Sequence, residues 1–111
     1  HLLPSRAEGW GHAIVEGLLC GAQVITTDAD PMNAHVRPEF GWLLPAVDED
    51  MSGRARCKRV EPDDIAAAVK QADATPTKDR AARAKLGRAH ALARTEAFHA
   101  AVRDAMGELL A

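Results

Sequence analysis

A chain of 111 residues, 47% apolar and 27% charged, is one globular domain at most, or a piece of one, and is not disordered over most of its length. Its net charge of −2 argues against a nucleic-acid binder, and its two cysteines, Cys20 and Cys57, form at most one disulfide and no metal-ligand cluster, so a reduced cytoplasmic setting is expected. The longest apolar stretch, Ala13 to Ile25, is cut by Glu16 and Gln23 and is too short to cross a bilayer, and no signal peptide is visible.

Aromatic residues make up only 4%, with no tyrosine, so the core must come mainly from Ala, Val, Leu and Ile and will be modest. The opening His1-Leu2-Leu3-Pro4 lacks an initiator methionine and reads as the tail of a strand; we expect a piece of something larger. Arg6 to Gly11, with two glycines and no apolar periodicity, is a loop. His12 to Cys20 favours helix, with Ile14, Val15, Leu18 and Leu19 on one broad face. Gly21 suits a left-handed helix C-terminus. Val24-Ile25-Thr26-Thr27 has the β-branched, apolar character of a central parallel strand. A turn through Pro31 and a short helical turn around 33–36 lead to a third strand, Trp42-Leu43-Leu44, halted by Pro45.

This alternation predicts an α/β fold with a parallel sheet and crossover helices. Residues 46–60 read as polar and irregular, with a possible edge hairpin at 54–60. Glu61-Pro62-Asp63-Asp64 starts a helix, with proline in the first turn and acids at its positive end, running to about Ala72. After a linker at 74–77, a basic alanine-rich helix runs from Lys78 to about Leu92. Thr95 is expected to cap a separate last helix, whose apolar stripe is Phe98, Val102, Ala105, Met106 and Leu109. The charge is uneven: net −6 over 1–50, +1 over 51–77 and +3 over 78–111.

The chemistry is concentrated in Pro4-Ser5-Arg6-Ala7-Glu8-Gly9-Trp10-Gly11-His12-Ala13-Ile14-Val15-Glu16. Here a strand ends, a glycine loop follows and a helix begins. The first amides of a helix have no internal partners and lie at its positive end, which suits a phosphate. The site falls at the carboxyl end of a parallel strand, where open α/β sheets bind ligands. Two carboxylates, Glu8 and Glu16, frame the loop. They would repel a phosphate and are useful only toward hydroxyls, such as those of a ribose or a hexose. Anion cradle and hydroxyl grips together describe a sugar nucleotide.

This stretch resembles the donor-binding motif of the retaining GT-B glycosyltransferases of family 4. The likeness rests on Pro4-Ser5, Glu8-Gly9-Trp10-Gly11, Glu16, Leu18-Leu19-Cys20-Gly21 and Val24 to Thr27, and it continues through Pro31, Gly41 and Leu43-Leu44-Pro45. The resemblance implies a Rossmann-like, nucleotide-sugar-binding C-terminal domain, of which residues 1–75 would be a part and 76–111 the C-terminal helices. It implies transfer of a sugar from a nucleotide donor to an acceptor with retention at the anomeric carbon. Glu8 would contact donor-sugar hydroxyls as the catalytic position. Gly9, Trp10 and Gly11 would offer amides to the sugar or diphosphate, with His12 beside them, and Glu16 would grip the ribose. The donor is a substrate; no cofactor and no metal are expected. The family's diphosphate-neutralising Arg and Lys, and its N-terminal acceptor domain, would lie upstream, so this chain is expected to be inactive alone.

The alternative is a non-catalytic remnant or interaction module that keeps only the anion-binding loop. Asp28-Ala29-Asp30 matches a three-residue metal–diphosphate pattern, but such a site would need further carboxylate or histidine ligands, and three-residue matches are common by chance. The five histidines have no zinc-like spacing. Cys20, among leucines, reads as a buried thiol, and Cys57, among basic residues, as a reactive one. The basic face of Arg80, Arg83, Lys85 and Arg88 allows at most a weak peripheral membrane contact.

Overall fold

The computed structural model describes residues 1–52 and 55–111. Three short strands, β1 (Leu2–Leu3), β2 (Ile25–Thr27) and β3 (Trp42–Leu44), pair in parallel in the order β1-β2-β3. Ile25 lies opposite Leu2 on one side and Trp42 on the other. Helix α1 (His12–Leu19) connects β1 to β2, and the single turn α2 (Met32–His35) connects β2 to β3. Gly21 turns the chain out of α1 at φ +79°. The parallel α/β alternation expected from the sequence is therefore present.

Both faces of this small sheet are covered, as a parallel sheet requires. On one face Val24 packs with Ile14 and Leu18 of α1, Met32 of α2, Val36, Phe40 and Ala91. On the other, Ile25 and Leu44 pack on Ala68 and Ile65 of α3 (Pro62–Ala74). The pleat explains this division, since Val24 and Ile25 point to opposite faces. Thr26 and Thr27 are fully buried, and their hydroxyls donate to the Leu3 and Ser5 carbonyls at 2.8 and 2.7 Å.

Four expectations are corrected. Residues 46–52 and 55–60 are not irregular: β4 (Ala46–Ser52) and β5 (Ala55–Val60) form a separate antiparallel ribbon with a register shift between Glu49 and Ser52, and Arg54, where the expected hairpin begins, lies outside the described residues. The directly opposed Asp48 and Lys58, paired at 2.5 Å, support a ribbon that a polar composition obscured.

The expected pair of C-terminal helices is one helix, α4 (Thr77–Leu110). Thr95 is no cap; its hydroxyl donates to the Ala91 carbonyl at 2.9 Å, one turn back. No proline and few β-branched residues interrupt 77–110, so the helix continues through it. Cys20 is exposed rather than buried, because the chain turns at the end of α1. Cys57 is buried, which counts against the expected reactivity. Among the described residues no helix is long and apolar enough to cross a membrane.

Helix α4 docks through residues that composition had marked as a solvated basic face. The Arg83 guanidinium lies 4.3 Å from the Trp42 ring centroid and donates to the Pro38 and Gly41 carbonyls, both at 3.0 Å. Arg88 donates to the Leu19 carbonyl at 2.8 Å, satisfying an open acceptor at the end of α1.

Candidate functional site

The loop between β1 and α1 leaves the carboxyl end of the sheet, where the sequence placed it. Its backbone is held from below. The Thr27 hydroxyl binds the Ser5 carbonyl, and the Lys58 amide of β5 donates to the Arg6 carbonyl at 2.8 Å. The Arg6 guanidinium pairs with Glu49 of β4 at 2.5 Å, and that carboxylate holds the arginine pKa above its ordinary value. Arg6 is thus occupied by the ribbon.

Gly11 adopts φ +95° immediately before α1. A side chain there would be strained, and a Cβ would lie 3.3 Å from Ile14 Cδ1 and 3.5 Å from His35 Cδ2. The Gly11 carbonyl accepts from the amides of Ile14 and Val15 at 3.1 and 3.3 Å. The amides of Gly11, His12 and Ala13 have no backbone acceptor among the described residues. His12 and Ala13 are exposed at the positive end of α1, whereas Gly11 is buried.

Glu8 is exposed, and its Oε1 accepts a hydrogen bond from the Ser5 hydroxyl at 2.8 Å. This leaves the second carboxylate oxygen available to a ligand hydroxyl. Gly9 is exposed beside it. His12 begins α1 and Glu16 follows one turn later on the same exposed side. Trp10, His12 and Glu16 come together on the wall of a cavity of about 500 Å³ between α1 and α4. Glu8 and Gly9 do not line this cavity. Trp10 is 43% exposed and leans edge-on against His35, with ring centroids 4.9 Å apart, while Phe98 of α4 stands 6.4 Å away.

Sequence reasoning missed the far wall of the cavity, formed by His90, Arg94, Thr95 and Phe98 of α4, and its floor at His35. No spacing links these residues to the motif; tertiary packing alone brings them there. His35 is 2% exposed, and its Nε2–H donates to the Trp10 carbonyl at 2.6 Å. Burial holds its pKa below 6.5; the Trp10 carbonyl opposes that shift and Arg94 reinforces it. His90 is lowered in the same way by burial and then by Arg37. Asp28 accepts from the Asn33 side chain at 3.0 Å, and no group of three or more ligating side chains able to hold a metal ion occurs among the described residues.

Compared with models of known protein families and with curated proteins, the chain matches none.

Proposed function

We propose that this chain is the donor-binding half-site of a retaining glycosyltransferase of the GT-B type, part of its Rossmann-like C-terminal domain, working in the cytoplasm. The observation that carries the reading is the Glu8-Gly9-Trp10-Gly11 loop at the carboxyl end of β1, followed by open amides at the start of α1.

In this reading the amides of His12 and Ala13 donate to the diphosphate of a nucleotide sugar, and the positive end of α1 stabilises it as it departs. Glu8, oriented by Ser5, accepts hydrogen bonds from sugar hydroxyls and positions the anomeric carbon. Glu16, further along α1, accepts from the ribose hydroxyls. Trp10 supplies an apolar wall. None of these roles needs a protein-bound metal, and the acceptor would be brought by an upstream domain.

The test is an NMR titration of the labelled chain with UDP, GDP and ADP and their sugar conjugates, without added metal. Amide shifts clustered on residues 8–16 are expected. A folded spectrum that no donor perturbs would overturn the assignment. In an intact enzyme, Glu16→Ala should raise the KM for the donor and Glu8→Ala should mainly lower kcat. Full activity in both variants would sink the roles given to these carboxylates. Binding without transfer by the intact protein would favour the non-catalytic module.

A further inference from the structure

We infer that His35 is a positioning residue for the ligand-binding loop, fixing the orientation of the Trp10–Gly11 peptide from which α1 starts. The inference uses the donor-site reading for what the loop binds, and geometry alone for how the loop is held.

A carbonyl oxygen can only accept, so the 2.6 Å contact with Trp10 requires the proton on His35 Nε2. The Trp10–Gly11 peptide is trans and planar, so its N–H points opposite to its C=O. Holding the Trp10 oxygen on the buried imidazole therefore sets the Gly11 N–H on the side of the peptide opposite His35. The positive φ of Gly11 lets the chain make this turn and still start the helix. The imidazole also abuts the Trp10 ring edge-on and lies where a Gly11 side chain would reach, so it fixes the loop by shape as well as by hydrogen bond. His35 sits on α2, whose Met32 packs with Val24 in the core, so it ties the loop to the elements around the sheet. The charged and titratable groups around it are His12 of α1, Asp30 before α2, and Arg94 and His90 of α4. Three of the four are basic or imidazole groups, which favours a neutral His35 with its single proton on Nε2.

The first measurement is the tautomer of His35 in the wild-type chain, from long-range ¹⁵N correlation of its ring. A neutral ring protonated at Nε2 is expected; a ring protonated only at Nδ1 overturns the inference. The second compares two variants. His35→Phe keeps a ring and loses the donor. It should shift the Gly11 and His12 amide signals and weaken the nucleoside diphosphate that binds best by about tenfold. His35→Gln returns an N–H near the Nε2 position and should recover most of both effects. Unmoved Gly11 and His12 signals in His35→Phe overturn the inference, as does a Gln variant no better than Phe. Should His35→Phe fail to fold, the tautomer decides, and His35→Gln is read against wild type, its Gly11 and His12 signals expected near their wild-type positions. If none of UDP, GDP and ADP binds the wild-type chain, the donor reading fails, while the tautomer and the amide shifts still decide the role of His35.

Discussion

Gly11 is the residue at which backbone and function meet. Its φ of +95° and the nearby Ile14 and His35 atoms leave no comfortable place for a methyl group. Gly11→Ala should therefore cost about 1–2 kcal/mol in urea denaturation, from the left-handed strain and the crowding together. It should also displace the start of α1 and abolish the anion-induced shifts. A variant of wild-type stability would show that the loop relaxes freely. The buried imidazoles make stability depend on pH with a definite sign. Burial keeps His35 and His90 below the ordinary 6.5, so in acid the unfolded chain takes up protons first. Stability should be fully present above about pH 7, fall as pH drops through 6.5 toward the lower folded values, and then level off. Melting temperatures measured across that range check this, and His35→Gln should flatten part of the slope. A Tm that rises on mild acidification would contradict the burial argument.

At the scale of elements, α4 depends on two arginines whose partners are carbonyls of other segments. Arg83 joins α4 to the turn before β3, and Arg88 joins it to the end of α1. Arg83→Met keeps the aliphatic stem but leaves two carbonyls without their charged donor. It should destabilise the chain by about 2 kcal/mol. Arg83→Lys should recover only part of this, because an ammonium does not reproduce the flat stacking on Trp42 or the paired donation. Denaturation midpoints of the two variants give the comparison, and a fully stable Arg83→Met would mean that Gly87 and Ala91, buried on the same helix, dock it unaided. The sequence marked this helix as basic and alanine-rich and was right about its existence. It could not say that Arg83 and Arg88 reach carbonyls of other segments, since hydrogen bonds to backbone carbonyls leave no residue pattern. The same limit blurred the ribbon: the sequence suggested pairing at 54–60 but not its partner strand β4, because pairing depends on register rather than on composition.

As a whole the molecule is more extended than a compact chain of its size. Its radius of gyration is 15.9 Å, against about 13 Å expected for a compact domain of this length. The cause is α4, about 51 Å long at the standard helical rise, in a molecule whose longest extent is 54 Å. Its last turns lie beyond the sheet and expose Phe98, Val102, Met106, Leu109 and Leu110, with the last two 80% exposed. Apolar residues at this spacing on an uncovered helix favour self-association. The isolated chain should show an apparent mass that grows with concentration in light scattering. Val102→Glu combined with Met106→Lys should hold it monomeric and shift stability by less than about 0.5 kcal/mol. A wild-type chain that stays monomeric at high concentration would show that the stripe is harmless.

The sequence by itself determined the local features. Alternating apolar strands and helices specified a parallel sheet, glycines marked the loop and the end of α1, and the order of Glu8, Gly9, Trp10, Gly11, His12 and Glu16 located the candidate site. These depend on neighbours a few residues apart, where backbone sterics and periodicity decide. Only the tertiary structure decided what holds that site. His35 beneath Trp10, the Thr27 hydroxyl on Ser5, Lys58 on Arg6, and α4 closing the cavity with Arg94 and Phe98 join residues 22 to 88 positions apart. Each such contact arises because a buried polar group must find a partner and an apolar face must find a cover, and one strand of sequence does not say which distant residue will answer.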